Sequence, residues 1–137
     1  VCREARHGER LRAGQVYIAP GGHQTLFTGR GADARIVLNE DAPVRFSRPS
    51  IDMMMETGAA TFGARVWCVL LTGMGQDGLL GAQAIIQAGG RVYAQSEISS
   101  VVWGIPGSIV RAGLAYGTGT PGELAAEIGG LIEGSRP

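Results

Sequence analysis

Val66-Trp67-Cys68-Val69-Leu70-Leu71-Thr72-Gly73-Met74-Gly75-Gln76-Asp77-Gly78 is an unbroken apolar run that ends in three glycines around one carboxylate. Its Val- and Leu-rich half reads as a strand buried on both faces. The glycines make a tight turn where backbone N–H groups can approach a ligand closely, and Leu79 to Ile86 then has the apolar spacing of a helix. Ala88-Gly89-Gly90 supplies a C-terminal stop, and Arg91 to Gln95 begins the next strand. The segment is therefore a βαβ unit.

Upstream, Val16-Tyr17-Ile18-Ala19 is a short strand run, read as central in the sheet and closed by Pro20-Gly21-Gly22. Thr25 to Thr28 and Ala34 to Leu38 flank a glycine-bearing spacer and read as an antiparallel hairpin, an exposed ribbon by its Thr and Arg content. Ser50 is placed to N-cap a helix running from Ile51 to about Gly58 or Ala60, with Asp52 in its first turn and Met53 to Met55 packing mostly inward. Downstream, Ser99-Ser100 reads as a helix start and Pro106 as a first helical position. Leu114-Ala115-Tyr116 reads as a last strand, and Thr120-Pro121-Gly122-Glu123 as a capping box for a final helix to about Glu133. Alternating strands and helices predict an α/β fold: a mostly parallel sheet flanked by helices on both faces, Rossmann-like or hydrolase-like, with an antiparallel hairpin. One domain over residues 1–137 is expected. In such a sheet, sites form at the carboxyl ends of strands, where Gly73 to Gly78 lies.

The 12 basic and 12 acidic side chains cancel, which disfavours nucleic acid as a partner. No apolar run is long enough for a membrane span, and the opening Val1 to Gly14 is polar, so no membrane insertion and an intracellular, cytoplasmic location are expected. Cys2 and Cys68 do not suggest a disulfide framework, and with His7 and His23 they have no zinc-ligand spacing. No cofactor and no metal is expected. The first residue is Val, not Met, which suggests a piece of a longer chain.

Two chemistries compete for the glycine loop. Gly73, Gly75 and Gly78 satisfy the dinucleotide pattern, with Glu97 near the end of the next strand. Against it, Asp77 would repel a pyrophosphate, and too little chain follows for both halves of such a domain. In the catalytic reading, Asp77 orients a histidine for a nucleophile, and backbone N–H groups of the Gly73-Met74-Gly75 turn help form an oxyanion hole. The plainer reading is that Asp77 caps the helix that follows it. His7 sits in a charged stretch and His23 in a turn, no serine lies in a G-x-S-x-G elbow, and the chain looks short of a nucleophile.

Four blocks in order, Tyr17-Ile18-Ala19-Pro20-Gly21, Arg48-Pro49-Ser50-Ile51-Asp52, Leu71 to Gly78, and Ala94-Gln95 through Gly104-Ile105-Pro106, resemble the catalytic domain of the bacterial chemotaxis protein-glutamate methylesterases. The resemblance covers almost the whole chain. It implies a Ser-His-Asp triad that hydrolyses glutamate methyl esters, and in many members deamidates glutamines, on the cytoplasmic helices of chemoreceptors. By motif position, Asp77 corresponds to the triad aspartate and Met74 to the residue whose backbone N–H serves the oxyanion hole. The family's serine and histidine fall upstream of Val1, as does any receiver domain, so this chain is expected to be an inactive C-terminal part with an uncovered sheet edge that promotes self-association. The family's histidine after the Pro-Gly turn falls at Gln24, with His23 one position earlier, and its Gly-Met-Pro is here Gly104-Ile105-Pro106. The alternative is a non-catalytic module that binds receptor or partner protein.

Overall fold

The structure, a computed structural model, describes residues 1–134. In chain order its elements are β1 (Cys2–Glu4), β2 (Val16–Ile18), β3 (Gln24–Thr28), β4 (Arg35–Asn39), α1 (Ile51–Phe62), β5 (Trp67–Leu70), α2 (Leu79–Gln87), β6 (Arg91–Gln95), α3 (Gly104–Arg111), β7 (Gly117–Gly119) and α4 (Pro121–Gly134). Single 3-10 turns occupy Gly31–Asp33 and Gly63–Arg65. The βαβ unit expected at 66–95 forms the centre: β5, β6 and β7 make a parallel sheet in that order, with α2 and α3 as the crossovers. The fold is the expected α/β class, and the antiparallel hairpin is β3–β4, in register from Gln24 opposite Asn39 to Thr28 opposite Arg35.

Local chemistry sets the helix starts. Ser50 Oγ accepts from the Met53 N–H at the head of α1. At α4 the capping box closes reciprocally, the Glu123 N–H donating to Thr120 Oγ1 at 3.1 Å and the Thr120 N–H to Glu123 Oε2 at 2.9 Å. The core gathers Met55 and Ala59 from α1, Ala82 and Ile85 from α2, Leu70, Val92 and Ala94 from the sheet, and Ile105 and Ile109 from α3. Helices α1 and α2 meet closely at Gly81, where a Cβ would lie 2.6 Å from Met55 Cβ and 3.2 Å from Asp52 Cα. Any larger residue there would push the two helix starts apart.

Several details differ from the sequence reading. β5 is not buried on both faces. It is an edge strand whose only strand partner among the described residues is β6; Val69 is 38% exposed, and Trp67 and Cys68 are half-buried. The most buried strand is β6, buried from Val92 to Gln95, which the same hydrophobic reasoning ranked no higher, because apolar content reports what a strand could bury and not which neighbours it has. β2 is not central either: among the described residues it pairs only with β1, in parallel, and Val16 and Ile18 stay exposed. The hairpin is not a solvated ribbon, since Thr25, Ala34 and Ile36 are buried and β3 packs on α1.

Ser99 and Ser100 close a turn instead of starting a helix. The Ser100 N–H donates to Glu97 O, and α3 begins at Gly104, which makes Pro106 its third residue. The last strand falls at Gly117–Gly119, just after the Leu114–Tyr116 run, where close packing of Gly117 against the Tyr93 ring outweighs strand propensity. Of Met53 to Met55, Met55 is core and the other two are half-buried.

Candidate active site

The loop between β5 and α2 carries two residues with opposite surroundings. Asp77 is 6% exposed, and Met74, three residues earlier, is 83% exposed. The Asp77 carboxylate does not cap its own helix. It sits on the start of α1, where Oδ2 accepts the Ile51 N–H at 2.7 Å and Oδ1 accepts the Asp52 N–H at 2.9 Å and the Ser50 hydroxyl at 3.1 Å. Those N–H groups are free of intrahelical partners in any helix, and the positive end of the helix dipole favours the anion.

Asp52 returns the arrangement. Its Oδ1 accepts the Gly78 N–H at 2.9 Å and the Gly81 N–H at 2.8 Å, so it caps α2 from the first turn of α1. The start of α1 is thus capped by a carboxylate from the loop leading into α2, and the start of α2 by one from α1, and the close approach at Gly81 makes this possible. Gln24 supports the pair from the hairpin, its Oε1 accepting the Ser50 N–H at 2.8 Å and its Nε2 donating to Ala42 O. The position where the resembled family has a histidine is therefore filled by a buried amide that steadies the start of α1. Asp52 Oδ2 is buried and has no hydrogen-bond partner among the described residues.

This geometry bears on both readings of the loop. The N–H groups of Gly78 and Gly81, where a pyrophosphate would have to bind, are already taken by the chain's own carboxylate, which would also repel the phosphate. Asp77, in contrast, uses three of the roughly four acceptor positions of a carboxylate. The remaining position, on Oδ2, can accept an N–H from an imidazole, fix its tautomer and stabilise its cationic form.

The Met74 end of the loop is braced from behind. The Thr72 N–H donates to Gln95 Oε1 at 2.8 Å, while Gln95 Nε2 donates to Ser99 O at 2.9 Å. Thr72 Oγ1 donates to Val102 O and accepts the Val102 N–H, both at 2.9 Å. The Gly73 N–H donates to Val102 O, and Gly73 O accepts the Ile105 N–H from the first turn of α3, each at 2.9 Å. No acceptor takes the Met74 N–H among the described residues.

Other residues singled out in the sequence stand elsewhere. His7 Nδ1 accepts the Leu38 N–H, and His23 lies beside Glu40 and Gly21 O; neither is hydrogen-bonded to Asp77. Arg48 donates to Glu40 O. Ser50, the one serine on Asp77, is buried with its hydroxyl directed to the carboxylate, so it cannot meet a substrate as a nucleophile. Cys68 is a half-buried thiol, pushed by burial from its ordinary value of 9.0 up to about 11. No group of three metal-ligating side chains occurs among the described residues, and no helix among them is long and apolar enough to cross a membrane. The sequence reading missed Gln24, Gln95 and Thr72 as braces. A polar residue at the end of an apolar strand, as in Ala94-Gln95, was the available signal.

A family model described as CheB methylesterase matches residues 1–128. Among curated relatives, a protein-glutamate methylesterase/protein-glutamine glutaminase of Paramagnetospirillum magneticum is 48% identical over 113 residues, covering 82% of this chain and 30% of that protein. One of the same name from Rhodopseudomonas palustris is 37% identical over 135 residues, covering 98% of this chain and 35% of that protein. The chain thus spans about a third of the length of these relatives. The crystal structure of the Thermotoga maritima CheB methylesterase catalytic domain matches with a TM-score of 0.89 and 30% identity, over 93% of this chain and 68% of that one.

Proposed function

The chain belongs to the CheB methylesterase family, and from that premise we propose that it is the part of a protein-glutamate methylesterase that supplies Asp77 and one oxyanion donor, the Met74 N–H. The observation that carries the proposal is Asp77 itself: a buried carboxylate, anchored by three donors, with one acceptor position left for an imidazole N–H. A serine and a histidine from another segment of the parent polypeptide complete the site. The serine attacks the ester carbonyl as the histidine takes its proton; Asp77 holds the histidine in the required tautomer, and the Met74 N–H donates to the oxyanion that forms. Collapse of the tetrahedral intermediate expels methanol, which receives the proton from the imidazolium, and water then cleaves the acyl-enzyme by the same steps. With a glutamine substrate the leaving group is ammonia.

The substrates are glutamyl methyl esters on the cytoplasmic helices of chemoreceptors, which places the protein in the cytoplasm. In the parent polypeptide, further strands cover the outer edge of β5, and the 137-residue chain alone associates with itself through that edge. Two grooves support this, with volumes of about 310 and 240 Å³, lined between α1 and β5 by Met54, Met55, Phe62, Trp67, Cys68 and Val69. An open strand edge beside apolar side chains is a template for pairing.

The test is a fluorophosphonate serine probe applied to two proteins. The full-length protein is labelled at a serine outside residues 1–137, and the 137-residue chain is not labelled. Labelling of the short chain, or none of an active full-length enzyme, overturns the proposal.

A further inference from the structure

The loop's bracing determines more than its position. A trans peptide is planar, and its C=O and N–H point in opposite directions. The Gly73–Met74 bond is trans, since the only cis bond among the described residues is Arg48–Pro49. Its carbonyl is fixed, because Gly73 O accepts the Ile105 N–H at 2.9 Å. The same hydrogen bond therefore turns the Met74 N–H away from α3, the direction in which it is unpaired. Were this peptide to flip, the carbonyl would face outward and present a negative end to an oxyanion.

The contact that secures this hydrogen bond depends on a missing side chain. A Cβ on residue 104 would lie 2.9 Å from Gly73 O and 2.9 Å from the Gly75 N, both backbone atoms that cannot rotate aside. Only glycine lets the first turn of α3 seat against the peptide. We propose that Gly104 and the Ile105 N–H are positioning elements for the reaction: they lock the Gly73–Met74 peptide in the orientation that makes the Met74 N–H an oxyanion donor. Thr72 tightens the lock through its two bonds to Val102, two residues before Gly104. The inference rests on the methylesterase reading.

The experiment is steady-state kinetics of the full-length enzyme on methylated receptor, with Gly104→Ala, Thr72→Val and Asp77→Asn measured together. An oxyanion donor acts in the transition state, so Gly104→Ala should lower kcat by about 10- to 100-fold, up to the range for loss of a whole donor, with KM within about threefold. Affinity for a phosphonate that mimics the tetrahedral intermediate should fall with kcat, while affinity for the demethylated product stays. A merely structural role would not produce that split. If Gly104→Ala does not fold by circular dichroism, Thr72→Val decides: Thr72 is exposed, and valine keeps its shape. Its kcat should fall by about 3- to 10-fold, and Thr72→Ser should restore it. Unchanged kcat in the decisive variant, or a loss carried by KM alone, overturns the lock. Asp77→Asn separates the two levels: if it is inactive while Gly104→Ala is normal, only the lock fails; normal turnover of Asp77→Asn removes the triad role of Asp77, and no turnover by the wild-type enzyme removes the methylesterase reading itself.

Discussion

The helix starts at Asp52 and Asp77 and the outer edge of β5 lie on the same βαβ unit and its neighbour α1, yet they are finished to different degrees. At the helix starts, two buried carboxylates accept five hydrogen bonds from residues of this chain, and one acceptor position on Asp77 stays open. At the β5 edge, Val69 stands in solvent beside a groove floored by Met54 and Met55. Directional polar bonds between two docked helices can form within one segment of chain. Apolar burial needs whatever lies across the groove, and the short-range sequence contains no record of it.

The strongest way to break this comparison is Asp77→Asn in the full-length enzyme. Turnover should fall by about 10⁴-fold, as for the aspartate of the serine-protease template. Near-normal turnover on methylated receptor would make Asp77 a structural cap and nothing more. The next effect is on stability: Asp52→Ala strips the Gly78 and Gly81 N–H groups of their acceptor. Hydrogen bonds to a charged group are worth roughly 1.5–3 kcal/mol each, so chemical denaturation should show a loss of about 2–4 kcal/mol once the relief of the unpaired Oδ2 is counted. A change below about 0.5 kcal/mol would show that water replaces the carboxylate freely.

At the edge, Val69→Lys should reduce self-association of the 137-residue chain in sedimentation while changing its stability by no more than about 0.5 kcal/mol. Association that survives the lysine would place the contact elsewhere. The smallest effect concerns Cys68, inside the same groove. Its thiol is raised to about 11 in the fold against 9.0 ordinarily, so the unfolded chain loses the proton first. Stability is therefore unaffected below pH 9 and falls as pH rises from 9 toward 11. The wild-type and Cys68→Ala denaturation curves should converge or cross only in that interval, and at neutral pH exposed Cys2 should alkylate well before Cys68.

The contrast also explains which parts were legible. Helix starts carry their own punctuation, and Ser50, Thr120 and Glu123 behave as their residue types predict because a cap is satisfied within a few residues. Asp77 could be recognised as a carboxylate held in a glycine turn, but not as the cap of α1, because its partners are some 25 residues away in sequence. Asp52 was noted as favourable for its own helix, and its bonds to α2 depend on the close approach at Gly81, which no periodicity announces. The β5 run was legible as a strand and misread in burial: four apolar residues look the same at the centre of a sheet and at its edge. Gln95 ended a strand in the sequence, and only the fold brings its amide to Thr72.

The exchanged carboxylates have a consequence for how the molecule opens. The Ile51 and Asp52 N–H groups at the start of α1, and the Gly78 and Gly81 N–H groups at the start of α2, keep their carboxylate acceptors only while the two helices are docked. The two helices therefore constitute a single cooperative unit in native-state hydrogen exchange. The amides of Ile51, Asp52, Gly78 and Gly81 should share one opening free energy and respond together to a perturbation at either aspartate.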